Sequence, residues 1–206
     1  MTNVEFHFDF GSPNAYLSHL VIPDIERRTG AIFEYVPVLL GGVFKATGNA
    51  SPMVTLKGIK NKPEYGRLEM QRFIDRYDLG ARFERNPHFP VNTLQIMRGA
   101  VAANRMDKAT FCTYVEAVFD AMWFHPVKMD DPVVIEATLG AADLPASEII
   151  RGLSDSEVKT ELIANTERSV ERGVFGSPSF FVGDEHFFGK DKLRDVEEEI
   201  VRQSGS

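Results

Sequence analysis

The sequence predicts an α/β fold in which a small sheet is built from the two ends of the chain, with a long helical block inserted between them. Three observations predict it. The first part of the chain reads as strand, helix and strand. Helical periodicity then holds for roughly a hundred residues. The C-terminal part carries a hairpin followed by an amphipathic helix.

Val4-Glu5-Phe6-His7-Phe8-Asp9-Phe10 alternates with period two, which places Val4, Phe6, Phe8 and Phe10 on one face of a strand. Glu5, His7 and Asp9 share the other face, expected to be solvated or capped by loops. Gly11 turns the chain. Ser12 offers a side-chain acceptor at N-cap, and Pro13 supplies the fixed φ favoured at the first helical position. Tyr16, Leu17, Leu20 and Val21 form an apolar stripe, Pro23 predicts a kink, and Gly30 ends the helix. Ile32 to Val38 reads as a second strand, and so short a βαβ unit implies a parallel pair. Leu39 to about Pro52 is Gly-rich and reads as irregular. Helices are then expected over about Lys62–Tyr77, Thr93–Arg105, Lys108–Trp123, Pro132–Gly140, Ala146–Leu153 and Ser156–Arg172. Ser179 to Val182, a turn at Gly183-Asp184, and Glu185 to Phe188 form an antiparallel hairpin. A last helix follows, from about Lys190 to Gln203. This order is that of a thioredoxin-like fold with a large all-helical insertion. It divides the chain into a thioredoxin-like domain, residues 1–45 and 156–206, and a helical insertion domain, residues 46–155.

Composition excludes several classes of function. A net charge of −7 does not provide the basic stripe that nucleic-acid phosphates require. No apolar run approaches the roughly 20 residues of a membrane span. Met1 to Phe10 has neither the basic nor the apolar region of a secretory leader. Cys112 is the single cysteine, so no internal disulfide can form. Together these signs lead to the expectation of a cytoplasmic protein. Cys112 has Val115 and Phe119 at i+3 and i+7 and reads as a small buried packing residue. The five histidines are scattered, with no i, i+4 pair, so no metal site is expected. Neither a GxGxxG nor a P-loop is present to support a nucleotide.

Three short segments carry chemistry. In thioredoxin-like oxidoreductases a Cys-x-x-Cys opens the first helix, whose dipole lowers the first thiol's pKa. Here that place holds Ser12-Pro13-Asn14-Ala15, and disulfide exchange is chemically impossible. Ser12 taken alone is accounted for as an N-cap. The second segment is Gly173-Val174-Phe175-Gly176-Ser177-Pro178-Ser179, just before the hairpin. A proline entering the third strand of this fold is expected to be cis rather than an ordinary trans strand-entry proline. It would turn the Ser177 backbone towards the helix start, where an extended peptide could pair with it. The third segment is Phe187 to Leu193. Asp191 falls in the first turn of the last helix, where the dipole alone favours a carboxylate and where it could also grip an ammonium group. Asp9, just before the active turn, is placed to tune a thiol there.

In order and spacing, five features resemble the bacterial 2-hydroxychromene-2-carboxylate isomerases, relatives of kappa-class glutathione transferases and DsbA-like proteins. They are the Ser-Pro helix start, Gly48-Asn49, Phe89-Pro90-x-Asn92-Thr93, Gly173-x-Phe175-Gly176-x-Pro178 and Phe188-Gly189-x-Asp191. The resemblance spans nearly the whole chain. It implies glutathione as cofactor: Ser12 would hydrogen-bond the sulfur, and Ser177 with Pro178 would pair with the cysteinyl backbone. Asp191 would contact the γ-glutamyl end, while Asn49 and Lys62 would hold other polar parts. Lys57 and Lys60 lie close to Lys62 and compete for its role. Asn14 stands where the family has an aromatic residue, which leaves the shape of the acceptor pocket open. The implied activity is glutathione-dependent cis–trans isomerisation of 2-hydroxychromene-2-carboxylate, or a similar aromatic catabolite, by transient thiolate addition in a homodimer. A substrate carboxylate would need a cation, with Lys45, Arg85 and Arg98 as candidates. Phe10 and Phe44 could wall its ring, although core packing is the better default for each. A kappa-like transferase conjugating an electrophile and a non-catalytic thioredoxin-fold binding module are the alternatives.

Overall fold

The computed structural model describes residues 2–56 and 58–205. Its elements are β1 (Asn3–Phe8), α1 (Pro13–Thr29), β2 (Ile32–Pro37), α2 (Leu40–Thr47), α3 (Pro52–Thr55), α4 (Lys62–Arg76), α5 (Leu94–Met106), α6 (Lys108–Trp123), α7 (Pro132–Ala141), α8 (Ala146–Gly152), α9 (Ser156–Glu171), β3 (Ser179–Val182), β4 (Glu185–Phe188) and α10 (Leu193–Ser204). The sheet order is β2-β1-β3-β4. β1 and β2 are parallel, with Asn3 opposite Ile32. β3 runs antiparallel to both β1 and β4. This is the thioredoxin-like α/β fold with helices inserted between β2 and β3.

The period-two pattern of β1 builds the core. Val4, Phe6 and Phe8 are fully buried on one face, where Phe6 stacks on Phe180 at 5.2 Å and Phe8 meets Phe119 of α6 at 5.5 Å. Each large apolar side chain so buried contributes about 1.5–3 kcal/mol. Val196 and Ile200 of α10 and Ile22 and Ile25 of α1 belong to the same core. On the opposite face Phe181 packs with Val43 and Val174 in a smaller cluster. Glu5, His7 and Asp9 lie on that face too, and it is capped rather than solvated: His7 and Asp9 are buried. His7 pairs with Ser169 of α9 at 2.7 Å and with Glu5 at 3.0 Å, and Glu5 binds Arg172.

Four local expectations are corrected. β1 ends at Phe8 rather than Phe10, because the Asp9 backbone turns to bond the Ser177 and Ser12 loops instead of a strand. The Gly-rich stretch after Leu39 contains α2; its start is held from outside, by Thr166 on the Leu39 N–H and Asp9 on the Leu40 N–H. α1, by contrast, ends as expected at Gly30, in the left-handed region at φ 69°, with Pro23 inside it. The last helix is preceded by a 3-10 turn over Lys190–Lys192. Cys112 is exposed, not packed. The buried stripe of α6 is centred on Phe111, Tyr114, Val115, Val118 and Met122, and Cys112 lies off its edge. Among the described residues no helix is long and apolar enough to cross a membrane.

Candidate active site

β1 delivers the chain to a tight turn. The Ser12 N–H bonds the Asp9 carbonyl at 3.0 Å, and Ser12 keeps an extended backbone at the N-cap of α1. Its Oγ accepts the Ala15 N–H at 3.2 Å, satisfying one orphan donor of the helix. The same hydroxyl donates to the Ser177 carbonyl at 2.9 Å. The Ser177–Pro178 bond is cis, as is Phe89–Pro90, so the expectation for Pro178 is met. Ser12 and Ser177 are therefore in direct contact, both buried, at the positive end of a helix of 17 residues.

One hydrogen bond ties the cis-proline loop to the turn that carries Asp191. The Gly189 N–H bonds the Pro178 carbonyl at 3.0 Å, which sets the 3-10 turn beside the cis-proline loop. Asp191 is exposed and accepts the Lys190 ammonium at 2.6 Å. Lys190 is itself buried, 4.9 Å above the Phe73 ring of α4. Asn49 follows Gly48, which closes α2 at φ 67°. Its Nδ2 donates to the Phe175 carbonyl at 2.9 Å and its Oδ1 accepts the Ala50 N–H at 2.8 Å. Asn49 thus fastens the end of α2 to the loop that leads into Pro178. Lys62 stands exposed at the first residue of α4, and among the described residues no hydrogen bond or ion pair joins it to Ser12, Ser177 or Asp191. Lys57 lies outside the described residues.

The remaining candidates sort by burial. Phe10 is fully buried, 4.8 Å from the Phe119 ring, and its carbonyl takes the Trp123 indole N–H at 2.8 Å. It is a core residue and walls no ligand. Phe44 and Arg98 are half-buried, and Lys45 and Arg85 are exposed. No group of three or more metal-ligating side chains is present among the described residues.

Sequence reasoning passed over how central Asp9 is. It is buried, and its carboxyl accepts the Gly11 N–H at 2.8 Å, the Leu40 N–H at 2.8 Å and the Thr93 hydroxyl at 3.2 Å. Burial pushes its pKa up, against the three hydrogen bonds, which pull it down. The available signal was an acid three residues before a Ser-Pro helix start. Chemically, the arrangement offers a hydroxyl donor at a helix terminus, a backbone edge for an extended peptide, and an exposed carboxylate nearby. It holds no nucleophilic sulfur of its own.

Residues 3–201 match the model of the DSBA-like thioredoxin domain. The chain is 29% identical to the 2-hydroxychromene-2-carboxylate isomerase of Pseudomonas putida over 202 residues, 97% of this chain and 94% of that protein. It is 23% identical to glutathione S-transferase kappa 1 of Caenorhabditis elegans, covering 94% of this chain and 88% of that one. A solved 2-hydroxychromene-2-carboxylate isomerase superposes with a TM-score of 0.83 at 26% identity, covering 98% of this chain and 96% of its own.

Proposed function

The chain belongs to the DSBA-like thioredoxin domain family, and from that premise we propose that it is a glutathione-dependent cis–trans isomerase of 2-hydroxychromene-2-carboxylate or a similar aromatic catabolite. The observation that carries this reading is the Ser12–Ser177 hydrogen bond beside the cis-proline. A family member that has kept the peptide-pairing loop and replaced the redox cysteines has no sulfur of its own at the turn, so thiol chemistry there needs a sulfur from a ligand.

The residues fit that ligand. A cysteinyl thiolate at Ser12 would accept the hydrogen bond that the Ser12 hydroxyl now donates to the Ser177 carbonyl, and the carbonyl so vacated would accept the cysteinyl N–H. One residue of the tripeptide thereby satisfies both halves of a contact it breaks. Asp191, carboxylate outward, would hold the γ-glutamyl ammonium, and Asn49 would keep the opposite wall of the loop in register. Lys62 opens α4, the helix whose Phe73 ring lies under Lys190, and its contact with the ligand is part of the proposal.

The energetics are of the required size. A free thiol with pKa about 8.5 is only a few per cent thiolate at neutral pH. Lowering it by about two units requires roughly 2.7 kcal/mol of preferential stabilisation. The α1 N-terminus supplies about 0.3–2 kcal/mol, and a hydroxyl donated to an anion about 1.5–3 kcal/mol. Ser12 therefore does what the dipole alone does not. Bound in this way, glutathione would supply a thiolate able to add to the conjugated carbon of the ring-opened substrate and to leave after bond rotation. Ser12 stabilises the departing sulfur as it did the attacking one.

The test is calorimetric titration with glutathione, followed by assay of the chromene substrate with trace glutathione. Expected are saturable heat and many turnovers per glutathione, with product of unchanged mass. Stoichiometric loss of glutathione would assign a kappa-like transferase instead. No binding at all would leave a thioredoxin-fold binding module.

A further inference from the structure

The Asp9 carboxyl lies where three helices begin. Oδ1 accepts from Gly11, two residues before α1. Oδ2 accepts from Leu40, the first residue of α2, whose N-cap Leu39 has no capping side chain. Oδ2 also takes the hydroxyl of Thr93, the N-cap of α5. The Asp9 main chain grips both sides of the cleft: its N–H bonds Ser177 Oγ at 3.2 Å, and its carbonyl takes the Ser12 N–H at 3.0 Å. Its relative exposure is 1%, so water contributes almost nothing to its solvation.

We propose that Asp9 is the positioning residue of the active turn, and that its carboxylate, when ionised, raises the pKa of any sulfur held at Ser12 by like-charge repulsion across that turn. The proposal rests on the reading that a sulfur is bound at this turn, and it adds what limits that sulfur's acidity. The Asp9 carboxylate and a thiolate at Ser12 would flank one short turn, with the Gly11 N–H already given to Asp9. Like charges held together in a poorly solvated site disfavour each other. Restraint has a purpose, because a thiol's nucleophilicity falls with its pKa and attack is best served by a pKa near ambient pH.

The other ionisable groups on the elements around Asp9 are engaged elsewhere or stand further along them. His7 and Glu5, on the same face of β1, pair with each other, and with Ser169 and Arg172 respectively. Lys45 of α2 is exposed and Arg98 of α5 half-buried. The cis-proline loop presents Ser177, which does not titrate. None of these is ion-paired to Asp9 among the described residues.

The experiment places the sulfur in the chain itself. In a Cys112→Ser background, Ser12→Cys puts a single thiol at the helix start, and its titration is followed by thiolate ultraviolet absorbance. Adding Asp9→Asn is expected to lower the apparent thiol pKa by about one unit, as an unscreened carboxylate nearby would require. Thr93→Val, which removes one donor from the carboxylate and makes it harder to ionise, is expected to shift the thiol in the same direction by less. It is the deciding variant if Asp9→Asn does not fold. An unchanged or raised thiol pKa overturns the proposal, and lost stability alone does not support it. No glutathione is needed, so failure of glutathione to bind the wild-type chain would sink the proposed function and leave this result standing.

Discussion

Replacing Ser12 with alanine separates the structural from the chemical work of one hydroxyl. In the folded chain Ser12 Oγ accepts the Ala15 N–H and donates to the Ser177 carbonyl, at 5% exposure. Loss of an N-cap acceptor costs about 1 kcal/mol, and an unpaired buried carbonyl costs about 1 kcal/mol more. Ser12→Ala should therefore lower unfolding stability by roughly 2 kcal/mol, which a domain of ordinary stability survives. The catalytic loss is separate. Removing a hydrogen bond to an anion, about 1.5–3 kcal/mol, lowers turnover by roughly ten- to a hundredfold. Glutathione affinity should fall much less, because the contacts proposed for Ser177, Pro178 and Asp191 would remain. Urea unfolding, calorimetry and initial rates read the three quantities on one preparation. Equal losses of affinity and turnover would refute the reasoning by making the hydroxyl a general ligand contact. Full activity would refute it outright.

Two further predictions concern the scaffold. Burial pushes the His19 pKa down from the ordinary 6.5 to about 4, and its Nδ1 lies 2.8 Å from the Tyr35 hydroxyl. The unfolded chain takes up a proton near pH 6.5 while the folded chain does not. Stability is therefore fully present above that pH and is lost as pH falls towards 4, by about 3 kcal/mol, less what water screens at its half-exposed edge. His19→Phe should flatten the stability–pH curve in that window without abolishing it, since burial also lowers the pKa of His7 and His186. An unchanged slope would show that His19 is not held neutral. Gly99 of α5 lies under the Tyr114 ring, and a Cβ there would fall 2.7 Å from Cζ and closer still to the hydroxyl. Gly99→Ala gains about 1 kcal/mol of helix propensity, but it displaces a buried ring and its 2.8 Å bond to the Ile96 carbonyl, about 1–3 kcal/mol each way of counting. A net loss of roughly 1–3 kcal/mol in thermal or urea unfolding is expected; a stabilised variant would contradict the packing.

The outer elements were legible because their patterns are local. Period two in β1, the Ser-Pro start of α1, the Gly30 stop and the Gly183-Asp184 hairpin each follow from neighbouring residues. α2 was not legible, because Gly41 and Gly42 weaken its helical signal and the groups that hold its start, Asp9 and Thr166, are 31 and 127 residues away. Cys112 failed for a related reason. Spacings of three and seven place it beside the apolar stripe, but which side of that stripe meets the core is decided by α5 and the sheet, not by α6 alone. The parity of β1 correctly grouped Glu5, His7 and Asp9. Only the packing of α9, and of the α2 and α5 starts, turned that polar face into an interior.

The same distinction divides the candidate site. Ser12, Pro178 and Asp191 each occupy an element terminus, and at termini local rules restrict residue type: an acceptor at an N-cap, a proline at a strand entry, an acid in a first turn. A sequence can therefore advertise a binding residue at such a place. Asp9 obeys no terminal rule of its own. Its proposed role arises because the active turn at Gly11 and two helix starts, at Leu40 and Thr93, converge on one carboxyl, and convergence is a property of the fold. A residue that contacts a ligand can be found one motif at a time. A residue that sets the electrostatic condition of the ligand has to be found from the groups assembled around it. For that reason the proposed restraint on a sulfur at Ser12 stands on Asp9's partners and not on the Ser-Pro motif that announces the site.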